Sequence, residues 1–468
     1  MTKLSPARAL AFDVLVEAEQ RDAFVRDLLA SRVDSSSLDV RDRGFASALA
    51  LGATASRGCL DEALDAYLSK PKKVSARVRC ALRIAAFEML YLDTPGRVAV
   101  SQGVELVRSC ARSAAGLANA VLRRVDENRA LYLDALDVAV PQREVAAAAR
   151  RAALPLWLYR EISLAYDLYG VRGFMPSALN PAPMAVHTNP HREPSESALA
   201  LFGQEFAPGC YAVSDMRSLT AEPGLAEARL VVSDANAQLI ATAATRDGSC
   251  LEIGAGRGTK TFVMNAQAHR AGLDHTHVAL DLFEGKCELN RERMEQAGLG
   301  EKVSYAAGDA CDLDAVLKDF DARAGERKLF DTVFVDAPCS GTGTMRRHPE
   351  IPWRLMLGEV HRELTDLQLA LLRQAANRVV PGGELFYATC SVLPYENTDI
   401  IDAFLETPEG GFFELAPVSE ASIFNDPGYE PARAMVESRQ LPGGYFQSLP
   451  TKKGDFDAHF CARLIKRA

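Results

Sequence analysis

From Gly248 onward the chain alternates short apolar strands with helical patterns, and few folds other than a parallel sheet with crossover helices accommodate that alternation. CLEIGAG is a strand running into a glycine turn, and HVALDL is a second strand ending near Asp281. VSYAAGDA is a third, ending around Asp309; LFDTVFVDAP is a fourth and GELFYATCS a fifth. The amphipathic pattern VHRELTDLQLALLRQAANRVV precedes the fifth and is read as a helix stopped by Pro381-Gly382-Gly383. GFFELAPV and DAHFCARLIKR are read as a closing antiparallel pair, with Cys461 as packing. In an open α/β sheet the carboxyl ends of the strands are where ligands bind and chemistry is done.

Two of these strands run into a cysteine. Asp336-Ala337-Pro338-Cys339 closes the fourth, and Thr389-Cys390-Ser391 closes the fifth. The chain has ten cysteines, scattered singly with no CxxC pair, so no zinc site is expected and most of them are read as small core fillers. Two at adjacent strand ends are the exception and indicate a cysteine-dependent enzyme.

LEIGAGRGTKT places Gly254, Gly256 and Gly258 directly after a strand, where glycine permits a tight turn and close approach of backbone to ligand. Asp281 ends the next strand, as a carboxylate on ribose hydroxyls would, and Asp309 ends the third, where an acid can meet an adenine edge. Together these features point to a nucleoside-containing cofactor. GAGRGTKT also approaches the phosphate loop G-x-x-x-x-G-K-[ST], but Thr259 stands where that loop needs its second glycine, and an ATPase leaves Cys339 and Cys390 unexplained. S-adenosylmethionine suits the acidic strand ends better. The candidate cofactor-binding residues are therefore Gly254, Ala255, Gly256, Arg257, Gly258, Thr259 and Lys260, with Asp281, Asp309 and Asp336.

At 468 residues, two or three domains are expected. Residues 4–125 read as helices, with Arg79 to Leu92 a central buried one and Pro71 and Pro95 marking turns. From Lys70 to Arg124 eleven Lys and Arg face three acids, a local +8 in a chain whose net charge is −9, so this zone is a candidate nucleic-acid surface. Residues 127–245 read as a connector and small subdomain, with a helix anchored by Trp157 and a short strand in NPAPMAVHTNP. No apolar run reaches the roughly 18 residues needed to span a bilayer. The start of the chain lacks a signal-peptide core, so a cytoplasmic protein without membrane partners is expected.

The helical order — an Arg-Ala helix, then Asp-Arg-Gly-Phe-Ala, LRIAAFEMLYL, AVSQGVELV and LANAVLRR — is similar to the NusB-like RNA-binding domain, with Gln102 where that family commonly has Asn. DAPCSGTGTMRRHPEIPW together with YATCS resembles the RNA cytosine-C5 methyltransferases of the Sun/Fmu type, and with the helical front the small-subunit ribosomal RNA methyltransferase B group. The resemblance covers nearly the whole chain. It implies an all-α NusB-like RNA-binding domain (1–126), a linker with a small α/β RNA-binding subdomain (127–245) and a Rossmann-like methyltransferase domain (246–468). Arg257 replaces the family's proline, Thr259 its second glycine, Ser233-Asp234 a Gln-Asp pair, and DAHFCA a DGFFYA-type strand.

The resemblance implies S-adenosylmethionine-dependent methylation of carbon 5 of a cytosine in small-subunit (16S) ribosomal RNA, by a monomer. Carbon 5 is too weak a nucleophile to attack a methyl sulfonium unless a thiolate first adds at carbon 6. In the family that thiolate belongs to the TCS motif, here Cys390; the PC-motif cysteine, here Cys339, helps release the product; and Asp336 can hydrogen-bond the cytosine edge. DNA cytosine-C5 methyltransferases use the Pro-Cys cysteine and lack TCS. Lys260 or an arginine of Arg346-Arg347 could supply a cation to lower the thiol's pKa. The alternatives are a transfer RNA substrate, a non-catalytic RNA-binding assembly factor, or a P-loop ATPase.

Overall fold

The computed structural model describes residues 3–129, 145–146, 148–150, 152–173, 182–451 and 454–468. It divides into two compact units: residues 1–181 with 344–355, and residues 182–343 with 356–468. The division runs through the middle segment expected at 127–245 and leaves residues 344–355 with the first unit.

The first unit is helical: α1 (Pro6–Arg21), α2 (Val25–Asp34), α3 (Val40–Ala55), α4 (Arg57–Asp65), α5 (Ala76–Tyr91), α6 (Gly96–Cys110), α7 (Ala115–Glu127) and α8 (Leu156–Gly173). Asp39 caps α3 by accepting from Asp42 N, satisfying one donor that the first helical turn leaves free. Helix α5 is buried along nearly its whole length, including Arg83 and Glu88. Burying a charge is costly unless it is paired. Glu88 is held by Arg8 at 2.8 and 2.5 Å, and Arg83 by Asp61 and Glu19. Gln102 accepts from Ser5 N at 2.8 Å and donates to Lys3 O at 3.0 Å, so this departure from the usual Asn ties down the start of the chain.

RRHPEIPW lies in residues 344–355 and so belongs to this unit. Val25 N donates to Glu350 Oε1 at 2.7 Å, Trp353 Nε1 donates to Ala55 O at 2.9 Å, and Arg354 pairs with Asp22 at 3.0 Å. A Cβ on Gly58 would sit 2.1 Å from the Trp353 ring, so the glycine is what admits the indole.

The second unit holds two sheets. The smaller is antiparallel, in the order β2 (Phe202–Ala207), β3 (Cys210–Val213), β1 (Met184–Thr188), β4 (Leu230–Ser233). Helix α9 (Ala235–Ala243) follows, capped by Asp234. Asp234 also accepts from Asp457 N at 3.0 Å, while Asn236 donates to Asp457 O at 2.8 Å, so two stretches that depart from the family pattern anchor each other.

The larger sheet has the order β10 (Phe413–Ala416), β12 (Phe460–Lys466), β9 (Val379–Thr389), β8 (Phe330–Asp336), β5 (Gly248–Ile253), β6 (His275–Asp281), β7 (Val303–Ala307), with β11 (Phe446–Gln447) pairing β12. Strands β9, β8, β5, β6 and β7 are parallel, and β10 and β12 pair antiparallel, as the sequence pattern predicts. One expected boundary moves. Helix α12 (Thr365–Ala376) ends before Pro381-Gly382-Gly383, which instead lie within β9, where its register with β8 shifts. The helix α10 (Thr259–Arg270) leaves the glycine turn, and α11 (Glu284–Ala297) follows β6. The chain reverses direction across the sheet between β5 and β8, and their carboxyl ends form the crevice where such sheets bind ligands.

Candidate active site

The glycine turn at the end of β5 is built from left-handed residues: Gly254, Gly256 and Gly258 have φ of +84°, +57° and +80°. A Cβ on Gly254 would lie 2.4 Å from Asp336 O, so only glycine lets the turn pass the end of β8. Gly254 N and Ala255 N donate to Leu280 O at 2.8 and 2.9 Å. Asp281, buried at the end of β6, accepts from Gly256 N at 3.0 Å and Phe283 N at 3.0 Å. At Gly256 a Cβ would meet only Gly254 O, at 3.9 Å, so this side of the turn is an open cradle beside a carboxylate. Arg257 is exposed, and its carbonyl and the Thr259 hydroxyl accept from Arg293 at 2.6 and 3.3 Å. The two replacements in the loop are thereby tied to α11. Asp309 is exposed just beyond β7 and caps the turn Ala310–Asp312. Gly254→Ala is expected to cost about 1–3 kcal/mol or more of stability, from the forbidden φ and the clash with Asp336 O. A denaturant melt equal to wild type would show that the turn tolerates a side chain.

Cys339 and Cys390 are brought together, with sulfurs 3.5 Å apart and both partly exposed. The Cys390 thiol is held below its ordinary range. The Cys339 S–H that donates to it is the main cause, with the Lys260 ammonium also favouring the thiolate against burial and the Asp336 and Glu396 carboxylates. Cys339 is pushed well above the ordinary thiol range, because the proton between the two sulfurs stays with it and burial disfavours its charge. Lys260 Nζ lies 2.5 Å from Asp336 Oδ2; burial works against its charge, but that carboxylate outweighs it and raises the lysine's pKa. Of the cations expected near the thiols, Lys260 acts on Cys390.

Glu396 was not singled out from the sequence. Fully buried, it accepts from Ser340 N at 2.8 Å, Ser340 Oγ at 2.5 Å, Ser391 Oγ at 2.5 Å and Gln368 Nε2 at 3.1 Å. One carboxylate thus joins the residues that follow each cysteine. Gly343 joins them again, donating to Cys390 O at 2.7 Å where a Cβ would crowd Ala458 O at 2.2 Å. The signal available in the sequence was position alone: a charged residue six places after Cys390.

Residues 240–465 match the family model for 16S rRNA methyltransferase RsmB/F, and residues 5–127 match the NusB family. The chain is 28% identical over 422 residues to the probable ribosomal RNA small subunit methyltransferase B of Bacillus subtilis (strain 168), covering 86% of this chain and 89% of that one. It is 28% identical over 472 residues to the ribosomal RNA small subunit methyltransferase B of Salmonella typhi, covering 98% and 97%. The crystal structure of PH0851 matches with a TM-score of 0.75 at 18% identity, over 99% of this chain and all of that one. A methyltransferase homologue from Pyrococcus horikoshii matches with a TM-score of 0.52 at 18% identity, over 70% of this chain and all of that one. No helix among the described residues is long and apolar enough to cross a membrane.

A Rossmann-like sheet with a glycine turn and strand-end acids at its reversal point is built for a nucleoside-containing cofactor, and with the match to a methyltransferase family model it is an S-adenosylmethionine-dependent methyltransferase. The open cradle at Gly256 beside the Asp281 carboxylate fits that cofactor. Residues 240–465 form a methyltransferase domain of the 16S rRNA methyltransferase RsmB/F type and residues 5–127 a NusB-family helical domain, and the chain as a whole is similar to ribosomal RNA small subunit methyltransferases B. It is an enzyme that methylates ribosomal RNA.

Proposed function

We propose that the enzyme, acting as a monomer in the cytoplasm, methylates carbon 5 of a cytosine in 16S ribosomal RNA through a transient covalent bond to Cys390. The observation that carries this reading is the pair of sulfurs 3.5 Å apart at two adjacent strand ends, with the Lys260–Asp336 ion pair acting on Cys390. The target base leaves its stack, at a cost of roughly a few kcal/mol, to reach the thiolate, which favours single-stranded or loop RNA. Cys390 Sγ bonds to carbon 6, and the ring electrons this displaces make carbon 5 nucleophilic. Asp336, held by Lys260, accepts a hydrogen bond from the cytosine edge and orients the ring. When bound, with the glycine turn, Asp281 and Asp309 as its holders, S-adenosylmethionine supplies an electrophilic methyl group. Loss of the carbon 5 proton, assisted by Cys339, then expels the Cys390 thiolate and restores the aromatic ring.

Bisulfite sequencing of 16S ribosomal RNA from cells with and without the protein tests this reading. One cytosine protected only when the enzyme is present is expected, and an unchanged protection pattern contradicts it. S-adenosylmethionine at a hundredfold excess over Kd should stabilise the fold by about 2.7 kcal/mol, whereas ATP should leave the melting temperature unmoved.

The helical unit, in this reading, holds the RNA. Of its eleven cations between Lys70 and Arg124, Arg79, Arg83 and Arg108 are engaged by acids. Lys70, Lys72, Lys73, Arg77, Arg97, Arg112, Arg123 and Arg124 remain exposed. A surface cavity of about 580 Å³ is lined by Arg97, Val100, Arg108, Asn119 and Arg123 among others. Reversing Arg123 and Arg124 to Glu is expected to weaken RNA binding, flatten its salt dependence by about two phosphate contacts and leave cofactor affinity unchanged. Unaltered RNA affinity would reassign this face to ordinary surface.

A further inference from the structure

Behind the cofactor turn lies a buried cluster that the methylation chemistry does not use. Strands β5 and β6 pair in parallel with Cys250 opposite His277, and the two-residue period of β6 puts His275 on the same face. Cys250, His275 and His277 are all buried, with one potential ligand atom from each lying within 4.8 Å of the others. Glu252 and Thr261, also buried, border them.

Beside an ionised Glu252, the hydrogen bonds around the two imidazoles do not balance with neutral rings. His275 Nδ1 lies 2.9 Å from Arg246 O, an acceptor only, so that nitrogen carries the hydrogen. Its bare Nε2 then faces His277 Nδ1 at 3.3 Å. If His277 Nδ1 donates, its own bare Nε2 meets the Glu252 carboxylate at 3.0 Å, lone pair against lone pair. Glu252 Oε2 already accepts from Thr261 Oγ1 at 2.5 Å, and Glu252 Oε1 is buried without a hydrogen-bond partner. Glu252 is thus left with one buried oxygen that no donor in the cluster reaches.

We propose that Cys250 Sγ, His275 Nε2 and His277 Nδ1 bind a zinc-type divalent ion. With an ion on those two nitrogens, each ring donates its other N–H as the structure requires: His275 to Arg246 O and His277 to Glu252. A backbone carbonyl and a carboxylate are the partners that metal-bound histidines ordinarily have. One thiolate with two neutral imidazoles leaves a divalent ion at +1, opposite the charge of Glu252. Tetrahedral Zn–S and Zn–N distances of about 2.3 and 2.1 Å put sulfur and nitrogen about 3.6 Å apart, so separations of at most 4.8 Å close by up to about 1.2 Å, while the two nitrogens, 3.3 Å apart, already stand at the required spacing. Binding displaces the Cys250 proton, which passes to solvent. Glu252 is joined through Thr261 to Asn290, whose Oδ1 abuts Gly258, so the ion would brace the cofactor turn from behind.

Metal analysis of the full chain expressed in zinc-supplemented medium tests this. About one zinc per chain is expected, with an X-ray absorption edge fitted by one sulfur and two or more nitrogen or oxygen neighbours. Expression with cobalt should give a thiolate-to-cobalt charge-transfer band that disappears in Cys250→Ala, a small change in a buried position whose folding is checked by circular dichroism. Zinc well below stoichiometric, with no such band in wild type, overturns the proposal and leaves a proton-sharing His–His–Glu relay. Equal zinc in wild type and folded Cys250→Ala also overturns it, since the ion would then lie elsewhere. Should Cys250→Ala not fold, the absorption edge of wild type decides alone: a first shell without sulfur refutes the site.

Discussion

Cys390→Ala is expected to lose methyl transfer by at least about a thousandfold, the scale at which removal of a covalent nucleophile acts. It should form no bond to RNA. Cys339→Ala should still attack and methylate, then stall, accumulating a protein–RNA adduct that survives denaturing gel electrophoresis. The two variants also differ in pH behaviour. Attack requires the Cys390 thiolate, so the rate falls as pH drops through that group's pKa, which lies below the ordinary thiol range chiefly because Cys339 donates to it. Removing that donor in Cys339→Ala raises the Cys390 pKa and moves the acid limb of adduct formation to higher pH. The mirror result, with the adduct trapped by Cys390→Ala, would assign attack to Cys339. Wild-type turnover in both variants would remove the cysteines from the mechanism.

Glu396→Ala is expected to cost about 3–5 kcal/mol. Ser340 N, Ser340 Oγ and Ser391 Oγ lose a buried acceptor, and each buried donor left unpaired costs about 1–3 kcal/mol before relaxation. Because these residues adjoin Cys339 and Cys390, the sulfurs lose their mutual placement, and a displacement near 1 Å lowers turnover by about a hundredfold. Glu396→Gln keeps the volume but presents an amide donor to donors, so it should recover packing and little activity. A denaturant midpoint and kcat equal to wild type in Glu396→Ala would show that the carboxylate does not organise the site.

What the sequence made legible were features written in consecutive residues. Strand–helix alternation, a glycine turn after a strand and two cysteines at strand ends are local, and each appears in the structure where its period and turn chemistry put it. Glu396 was illegible because its four donors come from positions 340, 368 and 391, which only the folded sheet assembles. The Cys250, His275 and His277 cluster was hidden for a related reason. A search for CxxC spacing follows one strand, whereas these side chains meet across two. The Pro-Gly-Gly boundary misled because glycine and proline end helices often but also serve a strand whose register slips.

The assignment of residues 344–355 to the helical unit bears on how the protein is made. Glu350 and Trp353 supply an acceptor for Val25 N and a ring for the Gly58 groove, yet they are translated roughly 170 residues after the unit's first stretch has ended at Pro181. At ribosomal speeds of about 5–20 residues per second, that is a wait on the order of ten to thirty seconds. During it the nascent helical stretch exists without its own closing piece, while the first strands of the sheet emerge behind it. Synthesis is therefore not a matter of finishing one domain and starting the next, and a gene cut at Pro181 would separate the helical unit from part of itself.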